Sequence, residues 1–264
     1  MRPTAIRRTA VAATALSLAL LTAACGSDAA DKDNGKAGGS ASADSADKGA
    51  DKTSAKALTA AELEKVSLTQ GDVKGHKIAK AGPADAISPD AVTTDKPACD
   101  GFADALMGAK SGSPAASTQR KVVSEPKKGA DKDSDDPEAA FKAAFDITTT
   151  LTTLSSYEGK GADETLSGLR TAATECASGF TLTAAGSKQK ITKIAEEQVK
   201  GGEDAVAWTV TIESDGDKSQ MKLVEVRQGA TVASFTSLNL ASSGGGGGFD
   251  LPTAVVDAQV AKLV

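Results

Sequence analysis

Aromatic residues, histidine and cysteine are all scarce in this chain. Its 264 residues include six Phe, one Trp (Trp208), one Tyr (Tyr157), one histidine (His76) and three cysteines. A histidine-rich metal site is therefore excluded, and a Ser-His-Asp site could form only around His76. Nucleic-acid binding by base stacking on a basic face is poorly supplied with rings. The catalytic signatures are missing too. There is no Gly-x-Ser-x-Gly elbow, no His-Glu-x-x-His pair and no phosphate-binding P-loop. No alternating Asp/Asn calcium loop occurs.

Charge is unevenly placed. The formal net charge is −5, from 30 Lys and Arg against 35 Asp and Glu. Residues 1–24 hold Arg2, Arg7 and Arg8 and no acid. Removing those three cations leaves 27 against 35, or −8 for the remainder. An acidic body repels phosphate backbones, so no nucleic-acid partner is expected.

Residues 1–24 have the three-part form of a secretory signal: a basic start, an uncharged run from Thr9 to Ala24, and small residues before Cys25. The run is too short and too weakly apolar for a membrane-spanning helix, which needs about 20 residues. Leu21-Thr22-Ala23-Ala24-Cys25-Gly26 resembles a bacterial lipobox. In that family of signals the cysteine is acylated and becomes the new N-terminus, so Cys25 is the expected lipidation site. Thr22 stands where Leu is usual. Two or more acyl chains hold a protein stably on a membrane. Arg7-Arg8 also resembles a twin-arginine signal, but the residues that follow are not bulky and apolar, so general secretion is the expected route.

From Gly26 to Ala57 the chain has no Val, Ile, Leu, Phe, Met, Trp or Tyr. Nothing there can offset the entropy of ordering, so residues 25–57 read as a lipidated N-terminus followed by a disordered tether. Residues 58–264 are long enough for one core. Within them, loops are expected near 108–119, 125–137 and 242–249, where Gly, Ser, Lys and Asp crowd together.

Thr59 and Glu62 form a capping-box pattern that opens a short helix. A strand is expected over 76–80. Pro97 starts a helix with Cys99, Phe102, Ala103 and Leu106 on one face. Strand candidates follow at 120–124 and 145–154. Residues 163–176 form the clearest helix, with Leu166, Leu169, Ala173 and Cys176 on one face. Strands are then expected at 179–183, 191–199, 205–213, 221–227 and 232–240. Asp215-Gly216 marks a hairpin. A final helix carries Val256, Val260 and Leu263. The expected class is α+β, with a twisted antiparallel sheet of four to six strands packed against helices.

With Cys25 assigned to lipid, Cys99 and Cys176 remain. In an oxidising compartment they are expected to form a structural disulfide. Two buried thiols or a redox switch are the competing readings. The bridge would close a 77-residue loop, which the chain-entropy model values at about 4.5 kcal/mol.

His76, in a turn-to-strand setting, reads as exposed and inert. Trp208, in the middle of an alternating strand, reads as core. Asp163-Glu164 and Glu196-Glu197 are adjacent acids that point to different sides, and so read as solvated surface. The glycines at 244–248 read as a flexible link, since Asp250 beyond them would repel an anion.

In this order of elements the chain looks like an actinobacterial lipoprotein of the Streptomyces type. From about Leu58 it resembles the extracellular sensor domains of mycobacterial PknH-like receptor Ser/Thr kinases. The resemblance rests on Lys96-Pro97-Ala98-Cys99, on Leu166-Ser167-Gly168-Leu169 leading to Cys176-Ala177-Ser178-Gly179-Phe180, on the hairpins after Trp208 with Val226-Arg227-Gln228-Gly229, and on the closing helix. It implies a twisted sheet against disulfide-linked helices and a cleft for a small ligand or peptide. Such sensors usually carry two disulfides; this chain has cysteines for one.

The resulting expectation is a non-enzymatic binding domain, lipid-anchored on the outer face of the cell membrane, needing no cofactor or metal. Its partner is a small ligand, a lipid or an envelope protein. The expected ligand surface lies between sheet and helices at Phe102, Leu106, Leu166 and Leu169, residues that also suit a plain core. Lipid carriage and hydrolysis of envelope polymers are the alternatives.

Overall fold

A computed structural model describes residues 56–85, 87–126, 143–242 and 247–264. Residues 1–55, where a signal sequence, a lipidated Cys25 and a tether are expected, lie outside the described residues, as do most of the 125–137 segment and residues 243–246.

The chain enters through α1 (Ala60–Val66). Thr59 caps it as the sequence predicts: its side chain accepts from the Glu62 amide, and the Glu62 carboxylate accepts from the Thr59 amide at 2.8 Å. Reciprocal capping satisfies amides that a helix start leaves open. Glu64, on the same helix, accepts from Arg120 at 2.7 Å and from Thr118, which holds its carboxyl down at about 2. Arg120 also donates to the Leu68 carbonyl. These bonds fasten α1 to the sheet.

Among the described residues nine strands follow: β1 (His76–Lys80), β2 (Val92–Thr94), β3 (Ala116–Ser124), β4 (Thr148–Ser156), β5 (Phe180–Ala184), β6 (Ser187–Glu197), β7 (Asp204–Ser214), β8 (Asp217–Gln228) and β9 (Thr231–Asn239). The helices α2 (Asp100–Leu106), α3 (Gly161–Glu175) and α4 (Thr253–Val260) interrupt or close them. Every pairing is antiparallel, in the order β1-β3-β4-β9-β8-β7-β6-β5-β2.

The sheet is thus larger than the expected four to six strands. The strand pattern located most of the segments, but not that β4 and β9 pair along nine residues and fuse the early strands to the late meander. Such pairing joins segments far apart in sequence, and no local pattern encodes it. β2 has three residues, too few to show a period. Residues 116–119, expected to be loop, extend β3, because each finds a partner on β4. Context of this kind overrides local propensity in strands.

Hairpins follow the turn chemistry. Asp215 and Gly216 both have positive φ, 53° and 89°, and join β7 to β8. Two central residues of that kind match the right-handed twist of the flanking strands. Ala185-Gly186 repeats the geometry between β5 and β6, at 49° and 81°.

The sheet carries a layer on each face. On one, α2 and α3 cover Val206, Trp208, Val210, Ile212 and Leu223. Phe102 meets Trp208 edge to face, with centroids 5.3 Å apart. Cys99 and Cys176 are disulfide-bonded and buried, joining the approach to α2 to the end of α3. Gly179 follows with φ +88°, where a Cβ would run into the Ile191 carbonyl oxygen. On the opposite face, α1 and α4 cover Val122, Leu154, Val224, Val226 and Phe235. The first and last helices are clasped by Gln259, which is wholly buried. It donates to the Val66 carbonyl and accepts from the Leu68 amide.

Candidate functional site

The expected ligand surface at Phe102, Leu106, Leu166 and Leu169 is a packed interior. All four belong to one cluster and are at most 3% exposed. Each fully buried side chain of this size contributes roughly 1.5–3 kcal/mol, which makes them stability residues first.

An opening lies on the other face, between strand ends and the chain leading into α4. It is a cleft of about 1070 Å³. One wall is built by strands. Because β-strand side chains alternate, the residues of β1, β3, β4 and β9 on this face line up across the sheet. His76 and Ser124 are register partners, as are Thr148 and Asn239. The Thr148 amide donates to Ser124 Oγ at 2.8 Å and joins the two pairs. The outcome is a row, His76–Ser124–Thr148–Asn239, crossing four strands and lining the cleft. Thr150 lines it behind this row, and its hydroxyl shares a hydrogen bond with Ser237 at 2.8 Å.

The row is held in place by its neighbours. Asn239 Nδ2 donates to Thr148 Oγ1 at 3.0 Å and to Asp146 Oδ1 at 2.8 Å. Its Oδ1 accepts from the Ser242 amide at 3.1 Å. The bonds to Ser124 Oγ and Thr148 Oγ1 use those hydroxyls as acceptors, so neither consumes the hydroxyl proton. His76 Nδ1 lies 2.9 Å from the Lys74 carbonyl oxygen. A carbonyl only accepts, so Nδ1 carries the proton, and Nε2 of the neutral ring is an acceptor. His76 is half-buried and lines the cleft, where the sequence led us to expect an exposed residue.

The facing wall is the chain leading into α4: Phe249, Leu251, Pro252 and Val255. Lys222 lies behind Phe249, its ammonium 5.5 Å from the ring centroid. That ammonium is itself buried and bonded to Glu197 and Thr209. Glu125, Asp146 and Asp250 also line the cleft, whereas no Lys or Arg does among the described residues. A smaller hollow of about 320 Å³ flanks the other side of α4, between Thr253, Val256 and the 198–200 segment.

The sequence reading missed the whole row. One sign of it was available: β4 reads Thr-Thr-Thr-Leu-Thr-Thr-Leu-Ser-Ser, with hydroxyls on both faces of what proves to be an interior strand. Among the described residues no group of His, Cys, Asp and Glu is arranged to hold a metal ion. No helix among them is long and apolar enough to cross a membrane.

No family model matches the chain, and no curated protein matches it. Among solved structures it is similar to the extracellular domain of PknH from Mycobacterium tuberculosis, with 14% sequence identity and a TM-score of 0.43, over 79% of this chain and 97% of that one.

Proposed function

We propose that the chain is a non-enzymatic extracytoplasmic binding module, held at the outer face of the cell membrane by lipid on Cys25. In this reading residues 1–24 are removed on export, with general secretion favoured over the twin-arginine route. Residues 25–57 form the tether, and residues 58–264 carry the ligand- or partner-binding domain. The lipobox-like sequence and the apolar-free segment after it support the anchor.

One observation carries the binding reading: a cleft of about 1070 Å³ whose strand wall is a connected row of hydrogen-bonding side chains. Ligand sites are concave, with a few placed polar groups among apolar ones. Three carboxylates and the hydroxyl row suit a polar ligand better than acyl chains, which counts against lipid carriage.

Titrating the isotopically labelled full chain with a fragment set of neutral polyols, amines, acids and acyl chains tests the reading. At least one class should shift the amides of Ser124, Thr148, Asn239 and Thr253 in a saturable way. Silence of all four across the set would sink it.

A hydrolase reading draws on Ser124 and His76, which face each other across β1 and β3. Catalysis would require the imidazole to take the Ser124 proton. Among the described residues no hydrogen bond joins Ser124 Oγ to His76 Nε2, and His76 Nδ1 is held by the Lys74 carbonyl rather than by a carboxylate. Binding is the better-supported function.

A further inference from the structure

We propose that the outer edge of β6, over residues 193–197, pairs with the same edge of a second copy of this chain, antiparallel and about a two-fold axis, so that the sheet continues across a homodimer. The inference goes beyond the binding reading above and shares no residue with the cleft.

The edge is open because β6 outruns its neighbour. β5 pairs only with residues 187–191, while the ladder with β7 continues to Glu197. The hairpin at Asp215-Gly216 fixes which way the backbone of β7 points. Ser214 and Asp217 are its closing hydrogen-bonded pair, so Glu213, Thr211, Thr209 and Ala207 turn their amides and carbonyls to β6. Past the bulge between Ile191 and Lys193, the residues opposite them are Lys193, Ala195 and Glu197. The amides and carbonyls of Ile194 and Glu196 therefore point away from the sheet. Among the described residues neither has a backbone hydrogen bond on that side. Groups of this kind are a template for another strand.

The chain closes its other edges with its own side chains. Gln70 lies along β1, accepting from the Ile78 amide at 2.8 Å and donating to the His76 carbonyl at 3.1 Å. Asp95 closes β5 where the short β2 ends: its amide donates to the Thr181 carbonyl at 3.0 Å, and its carboxylate accepts from the Thr181 amide at 2.8 Å. No side chain among the described residues does this for Ile194 or Glu196.

Charge singles out a second copy as the occupant. A lysine on an edge discourages indiscriminate pairing, and the exposed Lys193 has no ion pair among the described residues. Only a register that sets outward-facing residues against one another makes ladder bonds. With Ile194 opposite Glu196 on both sides of an axis through Ala195, these residues exchange N–H and C=O in both directions. That register also sets Lys193 opposite Glu197, twice by symmetry, and opposite charges so placed stabilise a ladder. Lys222 holds one oxygen of Glu197 at 2.7 Å, so this acceptor is ordered before a second copy arrives. Slipping the pairing one way sets Glu196 against Glu196, and slipping it the other way leaves Ile194 alone at the axis. A contact of this isologous kind closes at two copies. Its short length puts it at the weak end of interfaces.

The test uses the full chain carrying Cys25→Ser, in which Cys99 and Cys176 are bridged and no other cysteine is present. Sedimentation at rising concentration is expected to show a monomer–dimer equilibrium; a monomer up to millimolar concentration would overturn the inference. Glu196→Pro removes an outward N–H and no hydrogen bond within the chain, a change that an edge strand tolerates. It should weaken the dimer at least ten-fold with an unchanged melting curve. Lys193→Glu sets like charges opposite each other and should weaken it about ten-fold at low salt, and less at high salt. A dimer indifferent to both substitutions forms elsewhere on the molecule, and the proposal falls. Ala195→Cys gives an independent reading if Glu196→Pro melts early. Opposed residues of a non-hydrogen-bonded pair have Cα atoms ~4.5 Å apart, within disulfide reach. Ala195→Cys should thus oxidise to a covalent dimer, whereas Lys193→Cys, offset from its symmetry mate by roughly 13 Å along the strand, should not. No cross-link at Ala195→Cys, or equal cross-linking by both, would overturn the pairing.

Discussion

The two faces of the sheet solve different problems with similar material. Beneath α2 and α3, side chains pack into one buried cluster, and a disulfide joins the approach to α2 to the end of α3. On the other face, α1 and α4 cover only part of the strands, and the uncovered end is a polar cleft. The face the sequence marks as a ligand surface is the sealed one. Both faces carry hydroxyls, and the difference lies in what the hydroxyls meet. Thr236, on the sealed face, donates to the Ala105 carbonyl of α2. Ser124 and Thr148, on the open face, bond to strand neighbours and border empty volume. Burial of apolar area decides stability on the first face, while the second presents polar groups at an opening.

That division predicts opposite phenotypes. The largest effect belongs to the sealed face: Phe102→Ala is expected to cost ~3–5 kcal/mol, read from urea unfolding, through lost contact with Trp208 and the cavity left behind. Cys99→Ser with Cys176→Ser, or reduction of the native protein, should cost about 2–4 kcal/mol and leave the midpoint insensitive to reductant. Unchanged unfolding in reductant would show that the bridge constrains little.

Glu225 sharpens the comparison further. It is wholly buried on the α2 and α3 face, accepting from Ser234 Oγ at 2.7 Å. Its other oxygen has no hydrogen-bond partner among the described residues. Burial pushes its carboxyl up from 4.5 to about 8. In the unfolded chain the group ionises near pH 4.5, while the folded chain keeps the proton to about pH 8. Its contribution to stability is therefore fully present below pH 4.5, falls between those values, and is gone above about pH 8. Glu225→Gln should flatten that decline and raise the melting temperature at pH 8. A slope unchanged by the substitution would place the titration elsewhere.

On the open face, His76→Ala should change stability by at most about 0.5 kcal/mol while altering ligand binding. A large loss of stability would return the cleft to the status of a structural wall. Cys25→Ser is expected to leave folding untouched and to move the protein from the membrane fraction to the soluble one, read by fractionation and by incorporation of labelled fatty acid. Retention at the membrane without label would displace the lipid anchor from the proposal.

Much of the fold was legible because it is locally encoded. Thr59 with Glu62, Asp215-Gly216, the alternation around Trp208 and the single apolar face of α3 each act within a few residues. The pairing of β4 with β9 is a global outcome, and it determined the size of the sheet. The site was hidden for the same reason. His76, Ser124, Thr148 and Asn239 each look like ordinary surface in sequence, and only register across four strands makes them a row. The disulfide cysteines stood out because cysteine is rare here; threonine is too common to draw notice.

The position of β9 also bears on how such a chain can be made. It is the last strand in sequence, yet it sits inside the sheet between β4 and β8. Until residues 231–239 are synthesised, β4 and β8 both present bare edges, which are templates for wrong pairing. Gln259, still later, completes the clasp between the first and last helices. Folding is thus deferred to the end of the chain, and a polypeptide shortened before β9 would leave two open half-sheets prone to aggregate.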